Sequence, residues 1–81
     1  MVTTEGVIRK TPGVIGGDAC IRDTRIAVWM LVECKRLGHN DERLLVDHPG
    51  MTQDDLNAAW AYYAANPYEI ETAIRANNDA E

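Results

Sequence analysis

Cys20-Ile21-Arg22-Asp23-Thr24-Arg25-Ile26-Ala27-Val28 runs without a break into Trp29-Met30-Leu31-Val32-Glu33, and this stretch decides the fold. Gly16-Gly17 marks a turn ahead of it. Cys20-Ile21-Arg22 and Arg25-Ile26-Ala27 are short β-prone runs that a tight turn at Asp23-Thr24 would pair as a minimal hairpin. At Val28 the periodicity changes. Val28, Leu31 and Val32 share one helical face, and Met30, Cys34 and Leu37 widen it, so residues 28–37 are predicted as a central helix. A two-stranded hairpin is marginal alone, so this one must pack on the helices or pair with a second chain.

Upstream, Val7-Ile8-Arg9-Lys10 is β-prone and Thr11-Pro12-Gly13 turns the chain. Downstream, Gly38 stands where a left-handed helix end belongs, just after Lys35 and Arg36, whose charges suit the negative pole of the helix. Asn40 is positioned to cap a short second helix ending at Asp47, with Leu44 and Leu45 inward and His48-Pro49-Gly50 as its stop. Thr52 starts a third helix with Asp55 in capping-box position, and Leu56, Ala59, Trp60 and Tyr63 form its inward stripe. Asn66-Pro67 ends that helix and opens another, asparagine as cap and proline at the first helical position. The last segment, Tyr68 to about Asn77, has a thin apolar face of Ile70, Ala73 and Ile74, and residues 78–81 are expected to fray.

These elements predict a mainly α, single domain over residues 1–81: a β-ribbon and loop arm at 1–27, a helix-turn-helix core at 28–66, and a C-terminal helix and tail at 67–81. A domain of 81 residues buries a small core, so self-association, most simply a homodimer, is expected. No window is long and apolar enough for a membrane span, and the first residues lack the pattern of a secretory signal. Cys20 and Cys34 are then expected as reduced thiols in a cytoplasm.

The net charge of −5 is unevenly spread. Residues 1–25 and 26–40 each carry a net +1, whereas residues 41–81 set nine acids against Arg43 and Arg75, a net −7. A basic end and an acidic end suggest two kinds of partner. Arg9, Lys10, Arg22 and Arg25 are the candidate DNA-contacting residues, because arginine forks on a ribbon suit both phosphate and guanine. The helix opening Thr52-Gln53-Asp54-Asp55 is a poorer reader, since its aspartates would face phosphates. Trp29, Glu33 and Arg36 share a helix face away from the apolar stripe, and with Tyr62 and Tyr68 they form the candidate partner or dimer interface. His39 and His48 come with no metal-ligand spacing, phosphate loop or nucleophile. No catalytic, cofactor or metal residue is therefore assigned, and no small-molecule substrate is expected.

From Gly17 to Glu33 the chain resembles the prokaryotic family called domain of unknown function 433. The match is carried by Gly17, Cys20, Ile21, Arg22, Thr24, Arg25, Ile26, Val28, Leu31, Val32 and Glu33, and further on by Gly38, Pro49, Thr52, Asp55 and Ala58-Ala59. The resemblance implies a homeodomain-like helical fold and a VapB-like antitoxin. Such a protein would bind a PIN-like ribonuclease toxin and, as a dimer, its own promoter. A protein-interaction module without nucleic-acid binding is the alternative. Ala19 and Ala27 stand where the family often has proline, and Asp23 where it has the turn glycine. Aspartate tolerates the left-handed region, so a type I′ or bulged turn is expected there, and its charge between Arg22 and Arg25 weakens the turn as a DNA contact.

Overall fold

In the computed structural model the described residues are 7–10, 13, 17–22 and 24–79. Two three-residue strands, β1 (Ile8–Lys10) and β2 (Ala19–Ile21), are followed by four helices: α1 (Val28–Arg36), α2 (Asp41–Asp47), α3 (Gln53–Ala65) and α4 (Pro67–Asp79). The protein is thus mainly helical with a short antiparallel strand pair. No helix of the described residues is long and apolar enough to cross a membrane.

The strand pairing differs from the expected hairpin. β2 takes β1 as its partner, in the register Ile8–Ile21, Arg9–Cys20 and Lys10–Ala19. The segment after the arginine turn contributes only a single bridge, Cys20 with Ala27, and the Ile21 N–H donates to the Ile26 carbonyl at 2.9 Å. The physical reason lies in Ala27, which is the residue preceding α1. The helix begins before a third strand can extend. The turn type expected at Asp23 lies outside the described residues.

Helix boundaries follow local chemistry closely. Gly38 has φ +100°, a left-handed conformation that closes α1. Asn40 caps α2 by accepting from the Arg43 N–H at 2.9 Å. Thr52 and Asp55 make a full capping box at α3, each side chain accepting the other's backbone N–H. Asn66 acts differently from the expectation: its side-chain nitrogen donates to the Tyr62 carbonyl at 3.1 Å and so closes α3, while its own carbonyl accepts from Ile70 as α4 begins. α4 extends through Asn78 and Asp79, two residues expected to fray, and residues 80–81 are not described.

The core collects one stripe from each element. Ile21 from β2, Val28, Leu31 and Val32 from α1, Leu44 from α2, Leu56 and Ala59 from α3, and Ile70 and Ile74 from α4 form one buried cluster. The spacings of three and four residues within each helix put these side chains on one face. α3 is the hub, packing against α1, α2, α4 and β1. Ala58 and Ala59 are both fully buried, and their small side chains let neighbouring elements lie close to α3.

Candidate functional site

The arginine-bracketed turn is built on a strained residue. Arg22 follows β2 directly and has φ +46°, the left-handed region that costs a non-glycine residue roughly 1–2 kcal/mol. Local bonds hold it there. The Arg22 N–H donates to the Val7 carbonyl, and the Thr24 hydroxyl donates to the Ile21 carbonyl while accepting from the Ile26 N–H. The Arg22 guanidinium then reaches across to the Asp55 carboxylate, 33 residues on. Asp55 is only 3% exposed. Burial alone would push its carboxyl upward, yet the Thr52 backbone N–H and the Arg22 guanidinium prevail and hold it below the ordinary carboxylate range.

The four candidate DNA residues therefore separate. Arg22 is a tie between the turn and the start of α3. Lys10 meets Glu69 on α4 at 3.0 Å, and Glu69 also accepts from the Tyr62 hydroxyl at 2.9 Å. Arg9 is exposed on β1, opposite Cys20. Arg25 is exposed and makes no ion pair among the described residues. Three further cations are also paired: Lys35 with Asp41, Arg36 with Glu71 and Arg43 with Asp47. The basic end inferred from composition is thus largely neutralised within the fold.

The candidate interface residues also divide. Trp29 is half-buried, its indole N–H donating to Asp18 at 3.0 Å, so it locks the arm onto α1. Glu33 lies beside it, half-buried and without a side-chain bond among the described residues. Arg36 donates to the Tyr63 hydroxyl at 2.9 Å and to Glu71, bridging α1 to α3 and α4. Tyr62 is committed to Glu69. Tyr68 alone is strongly exposed, at 84%, and Leu37 and Val46 join it as large apolar side chains open to solvent.

Two cavities border these residues. One, of about 170 Å³, lies between the arginine turn, with Arg22 and Thr24, and the α2–α3 turn at Pro49-Gly50-Met51. The other, of about 200 Å³, lies between α1 and α3 and is lined by Val32, Lys35, Arg36, Trp60 and Tyr63. Lys35 Nζ sits 4.5 Å from the Trp60 ring centroid, and the Trp60 indole N–H donates to Asp41 at 3.2 Å. Asp41 is pushed up by desolvation, but Gln53, Lys35 and Trp60 more than offset this and leave its carboxyl lowered. Glu71 is also lowered, by Arg36 and then by Tyr63. Lys35, Trp60, Tyr63 and Asp41 were not expected at a site. Their signal in the sequence is the spacing of Val32, Lys35 and Arg36 on α1 against Trp60 and Tyr63 on α3, visible only once the helices are known to face each other.

Over 61 residues the chain is 30% identical to the protein "Uncharacterized protein y4eO" of Sinorhizobium fredii (strain NBRC 101917 / NGR234), covering 75% of this chain and 28% of that one. It therefore spans under a third of the length of that relative. The crystal structure of a DUF433 member protein from Anabaena variabilis ATCC 29413 superposes with a TM-score of 0.85 at 49% identity, covering 88% of this chain and 70% of that one. The family model described as "Protein of unknown function (DUF433)" matches residues 8–63, from β1 through the Trp60–Tyr63 wall of the larger cavity. The chain belongs to the DUF433 family.

Proposed function

We propose that this chain is a non-catalytic protein-binding module serving as the antitoxin of a type II pair, with a PIN-like ribonuclease toxin as its partner. The observation that carries this reading is the fate of the cations. Lys10, Arg22, Lys35, Arg36 and Arg43 each meet a carboxylate of the same chain. Phosphate binding draws its affinity from cations free to displace counterions, and each of these already shares its charge with a carboxylate of the fold, which lowers what it can give to a phosphate. α3, the helix that a helix-turn-helix reader would present, contains no Lys or Arg, and its Gln53 amide already donates to Asp41 and Asn57. The acidic surface of α2 to α4 and the exposed Leu37, Val46 and Tyr68 suit a protein partner better.

Promoter binding by a homodimer is the second reading. It is favoured by Arg25, exposed beside the turn without an ion pair among the described residues, and by the α2–α3 layout. Co-expression with the product of the adjoining reading frame tests the first reading. Co-elution and loss of that product's ribonuclease activity are expected, and a separately eluting, fully active nuclease refutes it. Gel shifts on upstream DNA at low and moderate salt test the second. Retardation that weakens with salt and with Arg9→Ala plus Arg25→Ala is expected of a regulator, and no retardation with or without the partner removes the DNA role.

A further inference from the structure

We propose that the cavity between α1 and α3 is an anchor site for one aromatic side chain of a partner protein, with a carboxylate next to it in the partner's chain. The inference rests on the protein-binding reading and names the partner's chemistry. The size of the cavity, about 200 Å³, suits a single ring, since a cavity of ~150 Å³ holds benzene. Val32, Trp60 and Tyr63 line it beside Lys35 and Arg36, an aromatic-rich lining of the kind in which one buried anchor dominates an interface.

The mouth selects the anchor's neighbour. Arg36 uses only its Nη2 group, on the Tyr63 hydroxyl and Glu71, so its Nε and Nη1 N–H groups have no acceptor among the described residues. Lys35 makes a single bond, to Asp41, and its Nζ keeps further donors beside the Trp60 ring. Both side chains are about half exposed, at 50% for Lys35 and 46% for Arg36. Asp41 is already engaged by Lys35, Gln53 and Trp60, and it does not line the cavity. The open charged groups among the lining residues are therefore both donors. A carboxylate fits them, and a second cation is repelled. Because Asp41 and Glu71 offset part of the positive charge, the preference for the carboxylate is modest.

The test uses the full chain, labelled with ¹⁵N, and the capped dipeptide N-acetyl-Phe-Asp-amide as probe. The readout is the indole N–H resonance of Trp60, separated from that of Trp29 by the Trp29→Phe variant. A saturable shift is expected with Phe-Asp, and about five-fold weaker binding with Phe-Asn, the size of a solvent-exposed charge contact. N-acetyl-Ala-Asp-amide should bind more weakly still. Arg36→Met and Lys35→Met should each reduce the preference for Phe-Asp over Phe-Asn, and two variants are used in case one disturbs the fold. No saturable shift, or equal binding of Phe-Asp and Phe-Asn to the unmodified chain, overturns the anchor site whether or not the ribonuclease complex forms. A missing ribonuclease complex alongside an intact peptide preference overturns the antitoxin reading and leaves the anchor site standing.

Discussion

Replacing Asp55 by alanine should remove more stability than any other single change of a charged residue described above. Two interactions depend on that one side chain. It accepts the Thr52 N–H at 3.0 Å, completing the capping box. It holds the Arg22 guanidinium, and it is itself almost wholly buried, its side chain 4% exposed. A helix N-cap interaction is worth about 1 kcal/mol. A hydrogen bond to a charged group adds ~1.5–3 kcal/mol, and the low end applies because Arg22 is 44% exposed and water screens its outer half. Together these give a loss of roughly 2–3 kcal/mol, against a total of about 4–12 kcal/mol for a domain of this size. Equilibrium urea unfolding followed by circular dichroism should show a midpoint lowered by about 1–2 M with an unchanged slope, and the thermal midpoint should fall by roughly 10–20 °C. A double-mutant cycle with Arg22→Met isolates the ion pair, with an expected coupling of about 1 kcal/mol. A loss below ~0.5 kcal/mol, or additivity of the two changes within that margin, would refute the role given to Asp55.

The same carboxylate contributes to the acid limb of stability. Asp55, Asp41 and Glu71 are held below their unfolded values, so their contributions are complete above roughly pH 5 and are lost as pH falls through the lowered folded values. Asp55→Asn should flatten this decline in unfolding free energy measured from pH 5 to 2, and an unchanged slope would count against it. Gly38→Ala should cost about 1 kcal/mol in urea unfolding, because an added methyl meets nothing within 4 Å and only the φ of +100° resists it. A neutral result would mean that another element, not Gly38, closes α1. Lys10→Met should cost under ~1 kcal/mol at low salt and almost nothing in high salt, since the Lys10–Glu69 pair lies half in solvent. A large salt-independent loss would show that Lys10 acts through packing.

The legible part of the fold is the part governed by neighbours in sequence. The stripe Val28-Leu31-Val32, the Gly38 stop, the Asn40 cap, the Thr52-Asp55 box and the break at Asn66-Pro67 all depend on residues within about one helical turn of each other. They were readable for that reason. The short β-ribbon was legible but its main pairing was not, because a strand's partner is a non-local choice: Ile21 finds Ile8, thirteen residues back, while the nearer segment keeps only the Cys20–Ala27 bridge before α1 begins. Asn66 shows the smaller version of the same limit, since one amide served either of two adjoining helix ends.

The site was less legible than the fold. Composition located the positive charge of the first 40 residues and the acids of the rest, but not that the two halves meet as pairs: Lys10 with Glu69, Arg22 with Asp55, Lys35 with Asp41 and Arg36 with Glu71. Local pattern was enough to establish the helices, their ends, the core stripes and the family motif, because backbone hydrogen bonding and helical periodicity act over a few residues. Only the tertiary structure decided which cations were spent, which way Trp29 was tied, and that Lys35 and Arg36 frame a cavity walled by Trp60 and Tyr63. Those outcomes depend on which helix faces pack together, and that is set by burial of the whole core and not by any single segment.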